Sequence, residues 1–275
     1  MAWCRRSGAP DMWYEEAGEG PVVVLVHGWS MSSAVWGPLT GHLAMRCRAF
    51  APDMPGHGRT GACPGEGGIT SWGQSLVSFF EQLGLCRAFL VGWSMGGMAA
   101  IAAFPLLKKY LAGVVLMNSS PCFAARPDFS HALPLHSVRG MEVRLRRAPE
   151  RALSDFRGLM FADGELCDPF VQEQVAEVLA SVARPDAAAA LEGLASLAGL
   201  DLRPLLPRID LPTLVVAGEG DPVCPPSASH WMAERLQNAR CTLMSGAGHA
   251  PHLTMSASMA GVLFDFMERT VQHDV

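Results

Sequence analysis

Short, wholly apolar runs alternate with longer segments of mixed polarity along the first 120 residues of the chain. Pro21-Val-Val-Val-Leu-Val26 is the kind of run that a strand buried on both faces of a parallel sheet requires. Runs at Arg48–Ala51 and Ala88–Val91 repeat the pattern. Each ends in a turn rich in Gly or Pro: His27-Gly28-Trp29, Pro52-Asp-Met-Pro-Gly-His-Gly58 and Gly92-Trp-Ser-Met-Gly-Gly97. Helix-compatible segments follow at Trp36–Ala44, Gly73–Leu83 and Met98–Tyr110. Strand and helix in alternation predict an α/β protein with a doubly wound, mostly parallel sheet and right-handed crossovers. Gly113–Met117 and Thr213–Ala217 predict two further strands, Cys241–Met244 a weaker one, and Ser258–Val271 a closing helix.

Between Pro121 and Leu211 the strand pattern stops. Arg-rich and Ala/Leu-rich helical patterns replace it, broken at Pro149, Pro169, Pro185 and Pro204. With no flexible linker or low-complexity run at its edges, this segment is expected to be a helical cap packed on the sheet. The predicted organisation is a core of residues 1–120 and 211–275 with a cap insertion at 121–210.

Composition narrows the class. A chain of 275 residues that is 49% hydrophobic can bury a full core, which excludes small stapled scaffolds and disordered tails. Its longest apolar runs are far too short to cross a bilayer, so a soluble protein without membrane contact is expected. The net charge of −5 gives no general attraction to nucleic acid or anionic lipid. Eight scattered cysteines (Cys4, Cys47, Cys63, Cys86, Cys122, Cys167, Cys224, Cys241) without a C-x-x-C pair predict reduced thiols. Arg5 and Arg6 are followed by Pro10, Asp11 and Glu15 rather than by an apolar segment, so no secretory signal is predicted and the expected location is cytoplasmic. A monomer is expected.

The most specific chemical signal is Gly92-Trp93-Ser94-Met95-Gly96, a G-x-S-x-G set between a predicted strand and a predicted helix. Glycines on either side of a sharp turn let the backbone pass close to itself and hold Ser94 in a strained conformation with its hydroxyl presented. The following helix aims its N-terminal N–H groups at the same point. A serine hydroxyl is a weak nucleophile near neutral pH, so it requires a base, and the base requires an orienting carboxylate. Gly218-Glu-Gly-Asp221 and Gly246-Ala-Gly-His249-Ala-Pro251 supply both at predicted strand ends, in the order Ser94, Asp221, His249. Rival residues are His252 for the base, and Glu219 and Asp210 for the carboxylate. Two N–H donors for an oxyanion are expected at Met95, next to the serine, and at Trp29, after the first strand. This chemistry needs no metal or organic cofactor.

These motifs together resemble the α/β-hydrolase superfamily over essentially the whole chain, which implies that fold with the cap inserted after its sixth strand. The segment Asn118-Ser-Ser-Pro-Cys-Phe123 resembles the pimeloyl-[acyl-carrier protein] methyl ester esterases of biotin synthesis. That resemblance implies a serine carboxylesterase acting on an acyl-carrier-protein ester. It sets Phe156, Arg157, Gly158, Leu159 and Met160 along the substrate, beside Trp29, Ser94, Met95 and His249. From Arg139 to Arg157, six arginines (Arg139, Arg144, Arg146, Arg147, Arg151, Arg157) face only three acids, Glu142, Glu150 and Asp155. Arg forks bind carboxylate and phosphate bidentately, so this segment is the expected contact for an acidic carrier protein. A solvated helix face in a chain whose only lysines are Lys108 and Lys109 is the alternative. Small-molecule esters, lactones or carbon–carbon bonds could be the target of the same triad, and a non-catalytic receptor could use the same pocket.

Overall fold

A computed structural model describes residues 1–6, 10–62, 65 and 67–273. Cys63 lies outside them. Eight strands form one sheet: β1 (Ala2–Cys4), β2 (Met12–Ala17), β3 (Val22–Val26), β4 (Arg48–Pro52), β5 (Ala88–Trp93), β6 (Leu111–Met117), β7 (Thr213–Gly218) and β8 (Ala239–Met244). Their spatial order is β1-β2-β4-β3-β5-β6-β7-β8. From β4 to β8 every pairing is parallel, while β1 and β2 add on antiparallel at one edge. The doubly wound, mostly parallel sheet expected from the apolar runs is therefore present. The antiparallel edge has no counterpart in the sequence reading. The reason lies in β2, Met-Trp-Tyr-Glu-Glu-Ala, where only Met12 and Tyr14 are buried, so it lacks the continuous apolar run of a central strand.

The helices are α1 (Gly37–Leu43), α2 (Ile69–Leu83), α3 (Met95–Leu107), α4 (Leu135–Arg147), α5 (Pro149–Leu159), α6 (Pro169–Ser181), α7 (Ala187–Gly199), α8 (Pro226–Ala233), α9 (Pro251–Thr254) and α10 (Ser256–His273). Four of them, α4 to α7, lie between β6 and β7 in the chain. Pro149 and Pro169 occupy the first turns of α5 and α6, where a missing N–H costs no hydrogen bond. Asp168 and Asp186 cap α6 and α7 by accepting from backbone N–H groups. Among the described residues, no helix is long and apolar enough to cross a membrane.

Sequence-consecutive β3 and β4 are neighbours, while β5 pairs with β3 on its other side. The chain thus reverses its winding direction at β3, and the carboxyl ends of β3 and β5 open a crevice, the usual ligand position of such sheets. The loops there are held by a buried polar network. Asp53 Oδ1 accepts from Ser33 N at 2.6 Å and Oδ2 from Arg59 N at 2.7 Å, tying the loop after β4 to the one after β3. His27 Nε2 accepts from Met54 N at 3.0 Å. His27 and His57 both set their rings against Trp72 of α2.

Burial holds both imidazoles neutral, pushing His27 down from 6.5 to about 4 and His57 to about 3. The unfolded chain takes up these protons below pH 6.5 whereas the folded chain does not. The stability they carry is thus full above 6.5 and is lost as pH falls toward 4. His27 alone accounts for on the order of 3 kcal/mol. Asp53, whose carboxyl burial pushes up, opposes the loss at the acid end. Urea midpoints measured from pH 7.5 to 4.5 should decline steadily below 6.5, and His27→Gln should flatten the decline.

Candidate active site

Ser94 sits between β5 and α3 with φ +55° and ψ −119°, a conformation that L-residues rarely hold. It is sustained by close packing on both sides. A Cβ on Gly92 would fall 2.5 Å from Gly96 O and 2.6 Å from Gly97 Cα, so no side chain fits there. A Cβ on Gly96 would collide with the carbonyls of Val26 and His27 at the end of β3. Ser94 O accepts from the N–H groups of Gly97 and Met98 and from Ser119 Oγ, the last at 2.8 Å. These bonds anchor the turn at the head of α3, where Met95 is the first residue. On the other flank a Cβ added to Gly28 would stand 3.2 Å from Ser94 Cβ, so the turn carrying Trp29 lies directly against the serine. Both expected oxyanion donors, Trp29 and Met95, therefore border Ser94.

Asp221 and His249 meet across two loops, after β7 and β8. His249 Nδ1 lies 2.9 Å from Asp221 Oδ2, with both side chains fully buried. Asp221 has no free acceptor capacity left over. Its Oδ1 accepts from Val223 N at 2.8 Å and Cys224 N at 2.9 Å, and its Oδ2 also accepts from Asn118 Nδ2 at 2.8 Å. Trp93, the neighbour of Ser94, donates Nε1–H to His249 O at 2.7 Å, and the two rings are 5.4 Å apart. His249 Nε2, on the side of the ring away from Asp221, is buried without a hydrogen-bond partner. A neutral imidazole so held carries its proton on Nδ1 and offers a lone pair at Nε2.

The rival residues are placed elsewhere. His252 is wedged between Trp36 and Trp93, with ring centroids 4.6 and 4.4 Å away, both nitrogens unpartnered, and burial pushes its pKa well down. Glu219 is exposed and accepts from Ser245 Oγ, and Asp210 pairs with Lys108 on the surface.

Asp221, Cys224 and His249 are the described donors close enough together to hold a metal ion, with ligand atoms within 4.8 Å of one another. The donor chemistry does not suit one. Both oxygens of Asp221 are consumed by N–H donors, and burial pushes the Cys224 thiol well above its usual range, away from the thiolate that a metal needs.

A cavity of about 520 Å³ lies between Trp29 and Pro222 of the loops and Met141, Arg144, Phe156 and Leu159 of α4 and α5; it meets the site through Trp29 and Pro222, and Ser94, Met95 and His249 are not in its lining. Its size falls in the range of small-molecule pockets. Trp29 forms one wall, with its indole N–H on Ala190 O of α7 and its ring edge-on to Phe156 at 5.0 Å. A second apolar cavity of about 310 Å³ lies at the opposite ends of the strands, by Pro21 and Phe89, remote from these residues.

Of the five consecutive residues expected along the substrate, Phe156 and Leu159 line this cavity and Arg157 and Gly158 do not. Helical periodicity is the cause, because Ala152, Asp155, Phe156 and Leu159 share one face of α5 and Arg157 points the other way. Arg157 donates to Leu179 O, and Gly158 is exposed. Met160 contributes its carbonyl, which accepts from His249 N at 2.6 Å. Among the arginines, Arg146 pairs with Glu142 and Arg151 with Asp155. Arg139 and Arg147 share one exposed face of α4, Arg144 is exposed at the rim of the cavity, and the three hold no ion pair among the described residues, while Val138 and Leu145 of the same helix are buried.

Three partners were missed in the sequence. Asn118 and Ser119 directly follow β6, and a polar pair at the carboxyl end of an apolar strand was their available signal. Glu165, which accepts from Gly248 N at 2.8 Å, carried none.

A sheet reversed at β3, a strained serine at its crevice and a buried Asp–His pair beside it define the α/β-hydrolase class. The alpha/beta hydrolase family model matches residues 23–262, and the chain belongs to that family. Among curated proteins it is 31% identical to the pimeloyl-[acyl-carrier protein] methyl ester esterase of Aromatoleum aromaticum, over 89% of this chain and 97% of that one. It is 32% identical to the protein of that name in Nitrosomonas europaea, over 87% and 93%. Among solved structures, an esterase from Exiguobacterium antarcticum superposes with a TM-score of 0.89 at 21% identity, covering 97% of this chain and 98% of the other, a likeness of fold. Membership and relatedness together make the chain a carboxylic ester hydrolase.

Proposed function

We propose that the chain is a serine carboxylesterase that removes the methyl group from a pimeloyl methyl ester carried on acyl-carrier protein, as the names of its relatives state for them. The observation that carries the catalytic part is the unpartnered His249 Nε2, backed by Asp221 and bordered by the elbow of Ser94. His249 Nε2 accepts the Ser94 proton as Oγ attacks the ester carbonyl. The N–H groups of Trp29 and Met95 stabilise the oxyanion. His249 then returns the proton to the departing methoxide, which leaves as methanol, and activates a water that frees the acid from Ser94. Asp221 keeps the imidazole in the right tautomer and stabilises its charged form.

Residues 121–210 act as the cap, and residues 1–120 and 211–275 as the core. The acyl chain occupies the cavity under α4 and α5, the unpaired Arg139 and Arg147 receive the acidic carrier, and Arg144 at the cavity rim meets the phosphate of the arm that enters it. The fit of an uncommitted basic face beside an apolar cavity supports this reading over a general short-chain esterase or lactonase. The chain works without cofactor, as a monomer in the cytoplasm.

Purified protein given the pimeloyl-carrier methyl ester beside p-nitrophenyl butyrate tests the substrate. In the double variant Arg139→Glu/Arg147→Glu, kcat/KM for the carrier ester should fall about 10- to 30-fold while the small ester changes less than about twofold. Added salt should narrow the difference. Equal loss on both substrates, or a wild type that ignores the carrier ester, would sink the carrier reading and leave the general esterase.

A further inference from the structure

The loop that carries His249 is held from outside by the connector between α5 and α6. Two successive N–H groups of that loop donate into it: Gly248 N to Glu165 Oε2 at 2.8 Å, and His249 N to Met160 O at 2.6 Å. Glu165 Oε2 also accepts from Ala162 N at 2.8 Å, and its Oε1 from Thr254 Oγ1 at 2.6 Å at the end of α9. One carboxylate therefore ties its own turn to both ends of the segment 248–254. The approach is close, since a Cβ on Gly248 would stand 2.6 Å from Met160 O and 2.7 Å from Glu165 Oε2.

The same connector begins where the cavity wall ends. Phe156 and Leu159 line the cavity, Met160 bonds the backbone of His249, and Glu165 bonds the residue before it. On the core side His249 is held by Asp221 at its ring, and by Trp93 at its carbonyl and against its ring. With both N–H groups satisfied by cap residues, the placement of the imidazole depends on the cap as much as on the core.

We infer that Glu165 is a positioning residue for His249, coupling the seating of the cap over the acyl cavity to the alignment of the general base. The inference rests on the esterase reading above, in which His249 is that base. Glu165 holds two donors of that segment, Gly248 N and Thr254 Oγ1, while Ala162 N of its own turn fixes the carboxylate, and a displacement of about 1 Å at a catalytic group can cost on the order of 10²-fold.

The test compares wild type, Glu165→Ala and Glu165→Gln in three measurements. These are the rate of Ser94 labelling by a fluorophosphonate, kcat and KM on p-nitrophenyl butyrate, and the downfield proton resonance of the His249 Nδ1–H bonded to Asp221. In Glu165→Ala, labelling rate and kcat should both fall about 10- to 100-fold with KM within about twofold, and the resonance should broaden. Glu165→Gln keeps one acceptor oxygen for the two N–H groups and should recover to within about fivefold of wild type. If the alanine variant does not fold, Thr254→Ala, which removes one of the three donors, should reduce labelling about threefold with an unchanged circular dichroism spectrum. Labelling at the wild-type rate overturns the inference. So does a rise in KM with kcat unchanged, or an equal loss in the alanine and glutamine variants with a matching drop in melting temperature. If wild type itself is not labelled at Ser94, it is the esterase reading that falls.

Discussion

Ser94→Ala should lower kcat/KM on p-nitrophenyl butyrate on the order of 10⁵-fold and abolish fluorophosphonate labelling, with the melting temperature nearly unchanged. The size follows from the role. Without Oγ there is no covalent acyl intermediate, and what remains is the stabilisation offered by Trp29, Met95 and the cavity. The fold should tolerate the change because the strain at φ +55° is imposed by the packing of Gly92 and Gly96 and by three bonds to the carbonyl of Ser94, all of which alanine keeps. Ser94→Ala therefore separates enzyme from receptor. A variant that turns over ester like wild type would exclude Ser94 as the nucleophile, and a wild type that binds ester without turnover or labelling would mark a receptor.

Asp221→Asn should cost about 10⁴-fold in kcat while leaving KM within a few-fold. The hydrogen bonds around the carboxylate dictate why. Val223 N and Cys224 N both donate to Oδ1, so the amide oxygen of the asparagine must stay on that side. Its NH₂ group then faces Asn118 Nδ2, itself a donor, and His249 Nδ1. The imidazole must accept at Nδ1 and carry its proton on Nε2, the nitrogen that has to receive the Ser94 proton. The wrong tautomer is thus built in, and only its minor population is competent. The loss of the downfield Nδ1–H resonance together with the fall in kcat checks the account. A variant with near-wild-type kcat would show that another group orients His249. Asn118→Ala should have a smaller effect of the same kind, since Asp221 Oδ2 would still hold His249.

The sheet and the serine turn were legible because each depends on a local pattern. Apolar runs such as Val22–Val26 are buried whatever packs on them, and Gly92 and Gly96 report the steric needs of one turn. Asp221 and His249 were legible for a similar reason, as each stands in a glycine-flanked turn beyond a strand. The antiparallel edge was not, because Met12–Ala17 is half-exposed and its Glu15 and Glu16 imitate a loop. The sequence presents residues 156–160 as one consecutive block, whereas the helix turns Arg157 and Gly158 away from the cavity that Phe156 and Leu159 line.

By itself the sequence determined the α/β class, the order of the strand ends and the chemical types gathered at them, because backbone sterics and burial act over a few residues. Only the tertiary structure decided which residues hold Asp221 and the loop of His249. Asn118 reaches Asp221 across 103 residues, and Glu165 reaches Gly248 across 83. Those bonds join loops that share no local signal, and they form because a buried N–H or carboxylate must find a partner wherever the fold brings one within about 3 Å.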